Sequence, residues 1–512
     1  MIATQAMRLA ILASLSLGGL QSFAQTTFDI VHSNVSSGFA VGYSVREIHD
    51  GYIVFGSQTE LDTVNQDCSI SIFNEAGLFV DEYYLHRPRF EGFGSQDPIG
   101  TIPSGGFVAG QTTFSGGEPV DTVFAVRFNA FGDTLWTKPL LSDTFASAVK
   151  AIAKGDHFYF TGLEASGVLL GNNGYVMRTD TSANIELFRL DPTLDMPMTL
   201  DVDDQGNMYL GGKSRDIGNG KGYLLKIDSM GDELWHAYQP KPKGNWWGVK
   251  HVFGDKLLCM GEWQSYILPP PGEPYDNTMY LAMYSDDGTL QWQYSGLKGK
   301  PTSYTKAFFT DGYQDSDSTF IVCGPIQQLA WNRAVIYRFT ADGDSLWRRD
   351  YAHFGNVVNP TAFPEIPWDI EPTSDGGMVL TGETWNGDTV PPYSDVNMWL
   401  LKLDAEGCLV PGCQYVGINE IAYGLEHALR AWPNPGTGRI NLALDLPEGL
   451  HLEGHLQLQV YDARGRLVVN RNLGGQLAQD ITLDLTGQPA GFYSAHISDA
   501  HRILTGAKLF VQ

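Results

Sequence analysis

The chain has 512 residues, a formal net charge of −25 and 43% hydrophobic residues. That length exceeds one ordinary core, so at least two domains are expected. The acidity argues against a nucleic-acid binder, whose phosphate contacts need a basic surface, and against electrostatic attachment to anionic lipid.

Residues 1–24 read as a secretory signal. Arg8 supplies the positive n-region, Leu9 to Leu20 an apolar core too short to span a bilayer, and Ser22-Phe23-Ala24 a small-x-small cleavage site. The processed chain then begins at Gln25. No later stretch is long and apolar enough for a membrane span.

From residue 25 to 413 one unit recurs seven times. Abundant Gly (58) and aromatic residues (12%), with no sustained helical periodicity, make it an all-β region of short strands and tight turns. In each unit an apolar strand ends in glycine: Gly56, Gly110, Gly162, Gly212, Gly261, Gly324 and Gly382. A second apolar strand follows, as in Tyr223-Leu224-Leu225-Lys226-Ile227 and Trp399-Leu400-Leu401-Lys402-Leu403. Next comes a turn at Gly77, Gly132, Asn184, Gly231, Gly288, Gly343 or Gly407, the residue types that tolerate positive φ. Four residues beyond the turn stands a large ring in five units: Trp136, Phe188, Trp235, Trp292 and Trp347. Covering the seam between neighbouring units explains it better than a sugar site repeated five times.

Adding the segment before each pair as an inner strand gives four strands per unit, hence a seven-bladed β-propeller. These inner segments are 45–50, 98–103, 148–153, 199–203, 249–253, 304–309 and 368–372. A linear solenoid is the alternative, but it needs polar caps at both ends. Unit seven lacks an outer strand, since Gly407 leads straight into Cys-Leu-Val-Pro-Gly-Cys. Phe28-Asp29-Ile30-Val31 is the expected substitute, which would close the ring.

Cys408 and Cys413, with Pro411-Gly412 between them, read as a local disulfide in an oxidising compartment; a metal pair is the alternative. Cys68, Cys259 and Cys323 sit in apolar strands and read as buried thiols. Candidate ligand-binding residues come from the inner strands and nearby loops. Aligned on the turn, Arg46, Lys150, Lys250 and Lys306 share one position and Glu47, Asp201, His251 and Glu371 the next, so one set could face a central channel. Trp247, Trp263 and Trp385 lie outside the repeated ring position and would suit carbohydrate or a partner protein. No nucleophile elbow, phosphate loop or His-Cys metal cluster is present, so no catalytic residue, metal or cofactor is assigned. The expected activity is non-catalytic binding of glycan or protein. A secreted carbohydrate-active hydrolase or lyase and a structural envelope protein are the alternatives.

Residues 414–430 read as a linker. From 431 to 512 a new pattern begins with Trp432-Pro433-Asn434-Pro435, continues through Tyr461-Asp462 with Gly465-Arg466, then Gly491-Phe492-Tyr493, and ends in a strand led by Lys508. These ordered motifs resemble the type A C-terminal sorting domain of type IX secretion cargo. The resemblance implies a small Ig-like β-sandwich, recognition by the outer-membrane translocon, and removal by a sortase-like peptidase. It places the cargo outside the cell or on the outer-membrane surface.

Overall fold

The computed structural model describes residues 25–512 apart from 33–38, 60–65, 86–90, 95–96, 114–120, 144, 166–171, 181–183, 191–195, 215–219, 242, 265–276, 299–306, 329–330, 354–364, 386–395, 411–412, 414–427, 447–454, 463–465 and 500–502. The signal segment and Lys306 lie outside the described residues. Every regular element among the described residues is a strand.

Seven antiparallel sheets follow one another along the chain. In blade four, for example, Met196–Val202, Met208–Lys213, Gly222–Ile227 and Glu233–Tyr238 run from inner to outer strand in sequence order. Blade seven departs from this order. Its outer strand is Phe28–His32, which pairs with Val396–Leu403 in the register Phe28↔Lys402 to His32↔Met398. Asp29 fixes that register by accepting from Trp399 Nε1 at 2.8 Å. The chain thus closes on itself, as the missing outer strand of unit seven predicted.

The core is the set of seams between blades. A separate buried apolar cluster fills each of them: blades one–two, two–three, three–four, four–five, five–six, six–seven and seven–one. An open array of seven sheets would have one seam fewer, so the seven–one cluster, with Phe28, Val54 and Leu400, decides for a closed ring. The turn glycines and the rings work together across these seams. A Cβ on Gly231, Gly288, Gly343 or Gly407 would run into Phe188, Trp235, Trp292 or Trp347 of the preceding blade. Trp235 and Trp292 also donate their indole N–H to the carbonyls of Asp286 and Ala341 on the next blade. The repeated rings are seam packing.

The repeated glycine of each second strand lies within the strand rather than at its end, as Gly261 does in Lys256–Gln264 and Gly382 in Met378–Trp385, and it has a different cause. In five blades the inner strand carries a β-bulge opposite this glycine: Gly42/Ser44, Ala148/Lys150, Pro197/Thr199, Trp246/Gly248 and Pro367/Asp369. The bulge pushes a carbonyl oxygen against the second strand. A methyl group on Gly56, Gly162, Gly212, Gly261, Gly324 or Gly382 would overlap the carbonyl of Val41, Ser147, Met196, Asn245, Phe308 or Ile366. The extra residue re-aims its neighbours, so bulge and following residue both turn toward the axis.

Two inner strands differ from expectation. In blade six the strand is Asp311–Ser316, beyond the expected 304–309. In blade two it is split into Glu91–Phe93 and Ile99–Thr101, and Asp97 between them has φ +45°.

The C-terminal unit is a two-sheet sandwich. Leu429–Trp432, Arg439–Asp445 and Ala478–Asp484 form one sheet, and Leu467–Gly474, Leu456–Asp462, Gly491–Ser498 and Ile503–Val511 the other. They share one apolar core that includes Leu442, Leu458 and Ile497.

Candidate ligand site in the propeller channel

An inner strand has one unpaired edge facing the axis, and its backbone groups there need partners. Side chains of the preceding blade supply them. Asp369 Oδ2 accepts from Val45 N at 2.7 Å, Thr199 Oγ1 from Val249 N at 3.1 Å, and Asp201 Oδ2 from His251 N at 2.5 Å.

The strand register corrects the expected alignment of charged residues. Arg46, Asp201, Lys250 and Glu371 share one position, each pairing three residues before the repeated glycine of its blade's second strand. Lys150 pairs opposite Thr161, directly before Gly162, and so sits two residues higher, level with Ser44, Asp311 and Asp369. Alignment by distance from the turn mixed these layers. Two residues is one pleat, so both layers face the same way. Glu47 and His251 fall on the next position and serve the seams. Glu47 accepts from Ser374 N and Oγ of blade seven, and His251 stacks on Tyr209 of blade four with centroids 5.4 Å apart.

At the axis these layers form one ionic cluster drawn from six blades. Arg46 donates to Asp97 Oδ1 (2.6 Å), Asp369 Oδ2 (2.8 Å), Thr101 Oγ1 (3.0 Å) and the Ile99 carbonyl (2.9 Å), and lies 3.2 Å from Glu371. Lys150 stands 3.5 Å from Asp97, and Lys250 3.2 Å from Asp311. Burial alone would raise the pKa of Asp97, but the charges of Arg46, Lys150 and Lys250 hold its carboxyl well below the usual range. Asp369 goes the other way. Full burial pushes its pKa up, the Asp97 charge adds to that, and Arg46 offsets only part. Glu371 is also raised by burial against the pull of Arg46 and Lys250. For Lys250 the carboxylates outweigh burial and hold the ammonium charged.

One end of the cluster floors a cavity of about 530 Å³, lined by Arg46, Glu47, Lys150, Asp201, Lys250 and Glu371 among others. Six of the candidates named from sequence therefore share one hollow. Oxygens of Asp97, Asp369 and Glu371 converge within 4.8 Å of one another, as metal ligands would. The Arg46 guanidinium already occupies the space between them. Asp97, Asp311 and Asp369 were not named from sequence. Asp97 lies in the split of blade two, and the other two needed the correct register.

The tryptophan candidates separate. Trp247 is a bulge residue on the inner strand of blade five. Trp263 and Trp385 lie at the far ends of second strands rather than on inner strands, and Trp263 packs beneath Lys241 Nζ at 4.8 Å. The acidic run from Asp201 to Gly206 divides between the end of the inner strand, Asp201 and Val202, and the turn that follows it. Asp203 accepts from the backbone N–H of Gln205 and Asn207, at 2.9 Å each, and from the Tyr209 hydroxyl.

Cys408 and Cys413 form a disulfide, and Cys68, Cys259 and Cys323 are buried thiols. In the sandwich the sorting motifs are internal staples. Asn434 Nδ2 donates to the Lys508 carbonyl at 2.6 Å, and Asn434 Oδ1 accepts from Phe510 N at 2.8 Å. Arg466 donates to Asp462 from its backbone N (2.9 Å) and Nε (3.1 Å), and the Tyr493 hydroxyl donates to the Pro489 carbonyl. Gly465 lies outside the described residues. Pro433 and Pro435 follow cis peptide bonds, and Trp432 is exposed.

Fold and motifs together define an exported β-propeller carrying a C-terminal sorting unit. Residues 430–512 match the family described as secretion system C-terminal sorting domain, so the chain is type IX secretion cargo, delivered across the outer membrane to the cell surface or released. A comparison with curated proteins gives no match. Among solved structures the chain is similar to the β-propeller domain of the trilobed protease from Pyrococcus furiosus (10% identity, 71% of this chain, 93% of that chain, TM-score 0.39). It is also similar to an acylaminoacyl peptidase from Pyrococcus horikoshii (10% identity, 81% and 59%, TM-score 0.39) and a β-1,2-mannobiose phosphorylase from Listeria innocua (10% identity, 65% and 92%, TM-score 0.28). Likeness at this level carries no argument about activity.

Proposed function

We propose that the propeller is a non-catalytic binding module that holds a polar ligand, a glycan or the side chains of a surface protein, at the channel cavity. The observation that carries this reading is the matching of charge at the axis. Asp97, Asp311, Asp369 and Glu371 converge there, and each is engaged by Arg46 or a lysine. Such a set can present a fixed pattern of hydrogen-bonding charge, and its carboxylates are not free to trade protons with a substrate.

A hydrolase is the second reading, favoured by the opposite proton affinities of Asp97 and Asp369. Their separation weighs against it. A glycosidase pair needs about 5 Å or more with substrate between the carboxyls. Here the oxygens lie within 4.8 Å with a guanidinium between them. After export, the sorting domain would be removed by a sortase-like peptidase.

The test is a glycan and peptide array probed with the exported chain, followed by assay of any bound ligand for turnover. Binding without turnover supports the module. Turnover abolished by Asp369→Asn would replace it with the hydrolase. No binding at all would leave a structural envelope role.

A further inference from the structure

The bulges of the inner strands build a second feature on the other side of the charged layers. Tyr43, Trp247 and Trp368 are the extra residues of the bulges in blades one, five and seven. Blade six carries Thr310 at that place, and Phe308, two residues earlier, fills the gap. The four rings touch in series around the axis. Trp247 stacks on Phe308 (centroids 5.1 Å, 30°), Phe308 meets Trp368 at 6.5 Å, and Trp368 meets Tyr43 at 6.3 Å. Four neighbouring blades thus contribute one continuous aromatic arc.

Tyr43, Trp247 and Trp368 are only half-buried. The indole nitrogens of Trp247 and Trp368 are themselves buried. In the next layer Asp369 Oδ1 and Asp311 Oδ2 are buried without a hydrogen-bond partner among the described residues. Inner-strand rings inside a channel are out of reach of a flat protein surface. An aliphatic ligand would leave the adjacent charged layer unsatisfied. A pyranose has the complementary chemistry, with apolar C–H faces for the rings and hydroxyls for the carboxyls.

We propose that Tyr43, Trp247 and Trp368, joined into one arc by the buried Phe308, form a stacking subsite for the neutral pyranose units of a carbohydrate chain entering the channel. This rests on the binding-module reading and names its ligand class.

The experiment titrates the exported chain with short neutral gluco-, manno-, xylo- and N-acetylglucosamine oligosaccharides, read by tryptophan fluorescence and by calorimetry. At least one series is expected to bind saturably with a fluorescence change. Trp247→Ala and Trp368→Ala should each weaken it about tenfold, while Leu346→Ala on an exposed outer strand leaves it unchanged. Should the alanine variants fail to fold, Trp247→Phe and Trp368→Phe keep a ring. They should bind by calorimetry with a diminished fluorescence response. A full response in both phenylalanine variants, or sugar binding that survives both alanine variants, overturns the subsite. Capture of a peptide by the charged cavity, lost in Lys250→Ala, with no binding of any oligosaccharide, overturns the subsite and leaves the binding module standing. No ligand of either class defeats both.

Discussion

Arg46→Ala is the perturbation whose cost the axial cluster fixes most closely. The side chain is buried and engages three carboxylates, and its removal leaves Asp97 and Glu371 facing each other at the cavity floor without their shared cation. Removing one partner of a buried ion pair costs about 3–5 kcal/mol. Lys150 and Lys250 still attend Asp97, and Asp369 is already pushed toward its neutral form, so the low end, about 3 kcal/mol at neutral pH, applies. The pH dependence has a definite sign. Asp97, with its depressed folded pKa, contributes stability above the unfolded value near ~3.9 that is lost as pH falls through the folded value. Asp369, raised, contributes below ~3.9 and loses that contribution as pH rises through its folded value. The variant's deficit is therefore largest near neutrality and shrinks on acidification, as its carboxyls take up protons. Urea unfolding followed by tryptophan fluorescence reads it, since every tryptophan but Trp432 lies in the propeller. Asp97→Asn in the variant background should recover part of the loss, a coupling that a double-mutant cycle isolates. A loss under about 1 kcal/mol, or a deficit that grows in acid, would refute the reasoning.

Gly212→Ala should lower stability by about 1–3 kcal/mol, because the added methyl meets the Met196 carbonyl and the bulge must flatten; thermal melting checks it. Trp292→Ala removes a half-buried ring from Gly343 and a hydrogen bond to Ala341, and should cost about 3 kcal/mol by the same melt. Replacing Cys408 and Cys413 by serine opens a short loop and should cost about 2 kcal/mol, read as a lower unfolding midpoint. Asn434→Ala should destabilise the sandwich by about 1–2 kcal/mol, since it frees both the Lys508 carbonyl and the Phe510 N–H.

What could be read from sequence was whatever repeats locally. The turn glycines and the rings four residues on recur because each ring rests on the next blade's turn, so spacing alone reported the seam. The closing strand was legible because unit seven visibly lacked an outer strand. The axial site was harder to read. A bulge adds a residue without changing composition, and it shifted Lys150 one pleat away from Arg46. Blade two interrupts its inner strand to bring Asp97 in at positive φ, which no repeat alignment anticipates. Tyr43 and Trp368 were missed for the same reason as the register. The signal was there in Gly56 and Gly382, because in five blades the repeated glycine of the second strand stands opposite a bulge, and the bulge residue turns toward the axis.

Hydrogen exchange of the segment 25–32, measured on the folded exported chain, tests closure of the ring most directly. The amides of Phe28–His32 that face Val396–Leu403, the strand they pair with in blade seven, should exchange as slowly as those of that strand. Exchange at the rate of an unstructured peptide, with the rest of the propeller protected, would mean the ring is not closed by this strand.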